Sequence, residues 1–237
     1  MKRIREIIFD IRNRYPNDDF FSDFEYSYWI NPLKKQHYQA YNRALKALDN
    51  ESWQILKEKA LQHYLNHRKG QKKQGLFNQL NEAFAYRYLA TRKGFENVRF
   101  IKEGKEQRPD IKFNVQNKQV CCEVKTLGIS DDEIKRRSTH SVYNSSVYVR
   151  LSDGFLNKFN DAVNAARKQI YTFGTIGLVY IIIRFDDIAL DYYKKYRSQL
   201  ITFCKNQGFD NLFIKIGVIG NRRISITSGF HYTHYLN

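Results

Sequence analysis

The sequence predicts an α/β fold, in which a mixed central β-sheet is flanked by helices and preceded by an α-helical N-terminal region. Amphipathic helical spacing dominates the first 70 residues. Two runs that alternate polar and apolar residues follow at 110–115 and 120–125, as half-buried strands do. A nearly continuous apolar run at 176–184 is typical of a central strand that is buried on both faces.

The N-terminal region is predicted to contain three main helices. The first covers residues 2–14, where isoleucines recur at helical spacing. The second begins near Pro32, since proline is favoured in the first turn of a helix, and runs to Leu48. The third begins near Asn50 and is expected to continue to about His67.

A basic, glycine-punctuated segment at 68–75 marks the predicted domain boundary. It divides the chain into a helical N-terminal region at 1–70 and an α/β core at 76–237. Lys72 and Lys73 in this segment are predicted to contact the phosphates of a nucleic acid.

Helices and strands alternate along the predicted core. Gly220 and Asn221 are expected to form a tight turn between its last two strands. The remaining predicted elements are a helix at 76–92, a strand at 98–101, the two alternating runs, a helix at 154–173, the strand at 176–184, a helix at 187–207 and strands at 211–219 and 222–227.

The most informative stretch is R-P-D-I-K-F-N-V-Q-N-K-Q-V-C-C-E-V-K-T, residues 108–126. If Gln116 and Asn117 form a two-residue turn, Asp110 lies opposite Glu123 on one face of a hairpin, and Lys125 faces the same way. Two carboxylates at that separation repel each other unless a cation lies between them. A divalent metal suits the position because it prefers carboxylate and water oxygens. A lysine beside it can orient the attacking water.

These residues carry a family resemblance. Pro109-Asp110 followed by Glu123-Val124-Lys125 resembles the PD-(D/E)XK motif of the restriction-endonuclease-like nuclease superfamily. The resemblance covers about residues 76 to 185 and implies a restriction-endonuclease-like core. It also implies that Asp110 and Glu123 bind Mg²⁺ or Mn²⁺, and that Lys125 is the catalytic lysine.

The resemblance extends to further candidate site residues. Glu82, in Q-L-N-E-A-F-A-Y, fits the metal-binding glutamate that the family often adds from a preceding helix, and the carbonyl of Val124 is a further ligand. Lys168 and Gln169 match the lysine or glutamine that many relatives carry on a later helix. Phe173 stands where one exonuclease-like subset has the tyrosine of Q-x-x-x-Y, so that subset is not matched.

Each of these residues also has a purely structural interpretation. Asp110 can be an acid beside a turn, and Glu123 with Lys125 an ordinary solvated strand face. Glu82 can be a surface glutamate that pairs with an arginine.

The charge of the chain favours a polyanionic partner. Forty Lys and Arg residues against 24 Asp and Glu residues give a formal net charge of +16, which suits DNA and equally RNA. A basic cluster one loop after the motif, formed by Lys135, Arg136 and Arg137, is predicted to contact phosphate, with a solvated loop as the alternative.

The sequence as a whole predicts a metal-dependent endonuclease acting on DNA, with a homodimer as a reasonable arrangement for cutting both strands. Two alternatives stay open: a nucleic-acid-binding module with a silent nuclease site, and a nuclease acting on RNA. Three cysteines without a C-x-x-C pair, and no apolar run long enough to span a bilayer, predict a cytoplasmic protein without membrane contact.

Overall fold

A computed structural model describes residues 1–67, 72–104, 106–128, 139, 149–174, 176–185 and 191–227. Over these residues the protein is an α/β fold with a mixed six-stranded sheet, in which the strands are neighbours in the same order as they occur along the chain. The chain divides into two compact units. The first unit comprises Met1–Val120 with Val218–Gly220, and the second comprises Cys121–Gly217 with Asn221–Asn237. The predicted boundary at 68–75 stays a prediction, and residues 68–71 of this segment lie outside the described residues.

Five helices of the first unit precede its strands. They are α1 (Lys2–Arg14), α2 (Phe24–Ile30), α3 (Pro32–Leu45), α4 (Asn50–Gln62) and α5 (Gln74–Ala90). The side chain of Asn31 caps α3 by accepting a hydrogen bond from the backbone N–H of Lys34, and Asp49 caps α4 in the same way through Ser52. The three predicted helices are confirmed as α1, α3 and α4, but α3 ends at Leu45 and not at Leu48, and α4 ends at Gln62 and not near His67.

The strands of the first unit begin the sheet. β1 (Phe95–Phe100) pairs antiparallel with β2 (Ile111–Val115), and β3 (Lys118–Leu127) starts in this unit. Gln116 and Asn117 connect β2 to β3 with φ angles of 47° and 63°. Two successive left-handed residues are what a tight two-residue hairpin turn requires, so the predicted turn is confirmed.

The second unit contains the rest of β3 and the remaining elements. These are α6 (Asp153–Thr172), β4 (Ile176–Ile183), α7 (Tyr193–Asn206), β5 (Leu212–Ile216) and β6 (Arg223–Ile226). β4 runs parallel to β5, and β5 runs antiparallel to β6. The fully apolar β4 and one side of α6 form the core of this unit, in which Phe159, Val163 and Ile181 are completely buried.

The last hairpin differs from its prediction. Lys215 pairs with Arg223, and the Ile216 N–H donates to the Arg222 carbonyl, so a loop at 217–221 joins β5 to β6. The two-residue turn predicted at Gly220-Asn221 is therefore wrong. Gly217 takes a φ of +74° and leaves the strand direction earlier than the apolar pattern indicates.

Candidate active site

The Lys59 cluster, formed in the first unit by Lys59, Glu82 and Asp110, is a buried network of one ammonium and two carboxylates. The Nζ atom of Lys59 lies 3.1 and 3.0 Å from the two carboxylate oxygens of Glu82 and 3.1 Å from Oδ1 of Asp110. The side chains of Lys59 and Glu82 are each 8% exposed, and that of Asp110 is 13% exposed. Glu103, which is 53% exposed, adds a carboxylate oxygen 3.5 Å from Nζ.

Helix packing and one loop bring these three residues together. Lys59 lies on α4 and Glu82 on α5, and the two helices pack against each other. Ala83, next to Glu82, is completely buried, and its small side chain lets neighbouring elements approach closely. Asp110 directly precedes β2, where its carbonyl accepts a hydrogen bond from the N–H of Ile101 at 2.8 Å. The carboxylate of Asp110 is therefore anchored through its own backbone.

Lys59 remains charged in this environment. Burial disfavours its charged form, but the attraction to Glu82 and Asp110 outweighs burial and raises the pKa of Lys59 above its ordinary value. The ammonium also separates two buried carboxylates that would otherwise repel each other.

The Lys125 cluster, formed in the second unit by Glu123, Lys125 and Gln169, has a different composition. The Nζ atom of Lys125 lies 2.6 Å from Oε1 of Glu123 and 3.4 Å from Oε1 of Gln169. The amide of Gln169 donates to Oε2 of Glu123 at 3.0 Å. The side chain of Glu123 is only 3% exposed, whereas that of Lys125 is 31% exposed. The cluster thus combines a fixed, buried carboxylate with an ammonium that solvent can reach.

Strand alternation and a close helix approach position this cluster. Glu123 and Lys125 are two residues apart on β3, so their side chains leave the same face. Gln169 comes from α6, which packs against β4. A Cβ atom on Gly177 of β4 would lie 2.6 Å from Cγ2 of Ile170 and 2.7 Å from the Cys121 carbonyl oxygen. Glycine at this position therefore permits α6 and β3 to lie this close to β4.

The structure separates the predicted accessory residues. Gln169 joins the Lys125 cluster, whereas Lys168 is exposed. Glu82 and Glu123 are 6% and 2% exposed, so the interpretations of a surface glutamate and of a solvated strand face are wrong for them. Val124, whose carbonyl is the further predicted ligand, is 8% exposed.

The predicted phosphate contacts also differ from one another. Lys72 is exposed, but Lys73 is buried and forms an ion pair with Asp18. The Nζ atom of Lys73 also lies 3.9 Å from the centre of the Tyr64 ring. Of these two lysines, only Lys72 has the exposure that a phosphate contact requires. Lys135, Arg136 and Arg137 lie outside the described residues.

Lys59 is the site residue that the sequence interpretation missed. A signal for it exists, because Ser52, Leu56 and Lys59 follow helical spacing on α4 and all three are buried. A lysine that continues a stripe of buried residues on a helix requires a carboxylate partner.

The carboxylates of Glu82 and Asp110 are the oxygen donors of the first unit that a divalent cation would use. In the part of the chain that the structure describes, no group of three or more His, Cys, Asp or Glu residues could hold a metal ion. Mg²⁺, however, often uses only one or two carboxylates and fills its other positions with water. Glu82 and Asp110 already direct oxygens at one cationic centre. Asn78 and Gln79, one helical turn earlier on α5, each bury an amide oxygen that has no hydrogen-bond partner in the described structure.

Comparison with family models, with curated proteins and with solved structures finds no match to this chain. Within the described residues, no helix is both long enough and apolar enough to cross a membrane.

Proposed function

We propose that this protein is a metal-dependent endonuclease that hydrolyses phosphodiester bonds of DNA, built on a restriction-endonuclease-like core. The observation that carries the proposal is the Lys125 cluster, in which Glu123 and Lys125 of the E-V-K motif form an ion pair held by Gln169. The tight turn at Gln116-Asn117 supports the hairpin register that sets Asp110 opposite Glu123 in the sequence pattern.

Asp110 and Glu123 are the proposed ligands of Mg²⁺ or Mn²⁺, with Glu82 and the carbonyl of Val124 as further oxygen donors. The bound ion would neutralise part of the negative charge on the phosphate, and it would lower the pKa of a water molecule bound to it. The buried position of Glu123 and the backbone anchor of Asp110 support this assignment, because fixed donors bind without further ordering.

Lys125 is the proposed catalytic lysine. Its ammonium is partly exposed and next to a buried carboxylate, so it can meet an incoming phosphate while Glu123 keeps its orientation. There it would position the attacking water and stabilise the negative charge that develops on the phosphate. Gln169 would hold Glu123 and Lys125 in their relative geometry without touching the substrate.

A nucleic acid is the proposed substrate and partner because of the net charge of +16, and DNA is the nucleic acid that the proposal takes first. The predicted homodimer would let two such sites cut both strands of a duplex. The three cysteines are buried, and a reducing, cytoplasmic location is part of the proposal.

The experiment is cleavage of supercoiled plasmid in Mg²⁺, Mn²⁺ or EDTA by the wild type and by Asp110→Asn. We expect nicked or linear product that requires metal and disappears in the variant. Plasmid that is retarded in a gel but stays uncut with every metal would overturn the DNA nuclease. The same assay on single-stranded RNA would then separate an RNA nuclease from a binding module with a silent site.

A further inference from the structure

We propose that Lys59 is an internal competitor of the metal: its ammonium occupies the carboxylates of Glu82 and Asp110 until a divalent cation displaces it. The inference rests on the proposed function, since it takes these two carboxylates as metal ligands. It adds a regulatory residue from the N-terminal helical region, which the motif does not contain.

The ammonium of Lys59 occupies the position that a metal ion on these two carboxylates would take. The Nζ atom of Lys59 is within 3.1 Å of three oxygens that belong to the two carboxylates. Mg²⁺ binds carboxylate oxygens at about 2.1 Å. A divalent cation on the same two groups would therefore occupy the space of the ammonium or press against it.

The charge of Lys59 also opposes metal binding at these carboxylates. A divalent cation and an ammonium repel each other, and the repulsion is strong where little water screens it. Lys59 and Glu82 are each 8% exposed, so the ammonium cannot be screened in its present position. Metal binding must then either push the ammonium away or proceed with lower affinity. In both cases Lys59 raises the metal concentration at which the site fills.

Glu103 offers the displaced ammonium of Lys59 a new partner. Glu103 lies 3.5 Å from Nζ and is 53% exposed, so it offers a carboxylate at the solvent side of the cluster. A lysine side chain has enough rotatable bonds to move its ammonium outward while its stem stays buried. Movement toward Glu103 would vacate the oxygens of Glu82 and Asp110 and keep the displaced charge paired.

The competition has a structural benefit in the absence of metal. Two buried carboxylates without a counter-charge would destabilise the fold. Lys59 neutralises part of that charge, so the first unit keeps its carboxylates in place before the metal arrives.

The test is Mn²⁺ binding to the full-length protein without DNA, measured by isothermal titration calorimetry. We expect Lys59→Gln to bind Mn²⁺ about tenfold more tightly than the wild type or better, since a nearby positive charge has been removed. Lys57→Gln is the matched control, because Lys57 lies on the same helix and pairs with Glu6 at 2.9 Å and Asp10 at 3.0 Å. Its Mn²⁺ affinity should equal that of the wild type. Unchanged or weaker binding by Lys59→Gln would overturn the proposal.

A second measurement keeps the proposal testable if Lys59→Gln does not fold. A crystal structure of the wild type with Mn²⁺, located by anomalous scattering, should show Nζ of Lys59 displaced from Glu82 and Asp110 toward Glu103. Mn²⁺ bound to Glu82 and Asp110 while Nζ keeps its contacts with both would overturn the displacement.

The outcomes separate this inference from the proposed function. Plasmid cleavage by the wild type without tighter Mn²⁺ binding in Lys59→Gln would leave the nuclease standing and remove the competition. Tighter binding in Lys59→Gln without any cleavage would leave the competition standing and remove the nuclease.

Discussion

The Lys59 cluster and the Lys125 cluster each hold a lysine between hydrogen-bonding partners, but they treat that lysine differently. Lys59 is 8% exposed and its ammonium is shared by two buried carboxylates. Lys125 is 31% exposed, binds one carboxylate and contacts the neutral amide of Gln169. A buried lysine that neutralises several carboxylates mainly stabilises the fold. A partly exposed lysine next to one fixed carboxylate can instead leave that carboxylate and contact a substrate.

The largest effect is expected from Lys125→Met, which removes the ammonium that the proposed reaction uses. Plasmid cleavage should fall by about a thousandfold, since one charged donor to a developing negative charge has that scale of effect. The variant should remain folded, because Glu123 keeps its hydrogen bond from Gln169. Lys205→Met, which alters an exposed lysine on α7, is the control and should cleave like the wild type. Full activity in Lys125→Met, with a circular dichroism melt like that of the wild type, would remove Lys125 from the reaction.

Lys59→Met should mainly lower the stability of the fold, in contrast to Lys125→Met. Removing this ammonium leaves the buried carboxylate of Glu82 next to the partly buried carboxylate of Asp110, so the free energy of unfolding should fall by about 3–5 kcal/mol in metal-free buffer. Urea denaturation measures it. Lys57→Met is the comparison, because its partners Glu6 and Asp10 are about a third exposed and the expected loss is under about 1 kcal/mol. Equal losses in the two variants would mean that the Lys59 cluster is no more important than a surface ion pair.

Gln169→Leu should have a smaller, graded effect on the Lys125 cluster. The variant removes the amide contacts to Glu123 and Lys125, so both groups lose orientation while the charges remain. We expect cleavage to slow by about tenfold to a hundredfold, the usual range for residues that orient metal ligands. Gln169→Glu, which keeps an acceptor for Lys125 but loses the donor to Glu123, tests which contact is required. Wild-type rates in Gln169→Leu would limit the residue to packing.

The smallest effect separates two adjacent lysines. Lys72→Met should weaken DNA binding at every sequence and lower the slope of log K against log salt by about one, as for a lost phosphate contact. Lys73→Met should leave that slope unchanged and lower stability, because Lys73 is buried and pairs with Asp18. Fluorescence anisotropy over a salt series distinguishes them. Equal slopes for Lys72→Met and the wild type would exclude Lys72 from the DNA contacts.

The pH dependence of Lys73→Met gives a check on the same pair. Burial alone would raise the pKa of Asp18, but hydrogen bonds from Lys73 and Tyr64 outweigh burial and hold its pKa below the ordinary value. A lowered folded-state pKa contributes stability that is present above the unfolded value near 4 and is lost as pH falls through the folded value. Wild-type stability should therefore drop on acidification below about pH 4, and Lys73→Met should show a weaker drop. The same drop in both proteins would contradict this assignment.

Local sequence patterns predicted the Lys125 cluster better than the Lys59 cluster. Glu123 and Lys125 lie two residues apart on one strand, so alternation alone places them on the same face. The turn at Gln116-Asn117 likewise depends on the conformation of two adjacent residues. Lys59, in contrast, is 23 residues from Glu82 and 51 from Asp110, so its burial depends on helix packing that no local pattern contains.

The remaining differences have the same origin. α4 ends at Gln62 because the chain turns so that Tyr64 can stack on Tyr15 at 4.9 Å and donate to Asp18, contacts that a helical stripe cannot reveal. At the last hairpin Gly217 and Gly220 both take positive φ angles, and the sequence gives no reason to prefer one as the turn. The pairing of β5 with β6 sets the start of the loop at Gly217.

The most direct test of the central claim is the rate of Mg²⁺-dependent plasmid cleavage by the wild type and by Glu123→Gln. Glu123 is the buried carboxylate of the Lys125 cluster, and glutamine keeps its shape while removing its charge. We predict cleavage by the wild type in Mg²⁺, none in EDTA and none by folded Glu123→Gln. Cleavage that persists in EDTA, or that Glu123→Gln performs at the wild-type rate, would contradict a metal-dependent nuclease centred on this residue.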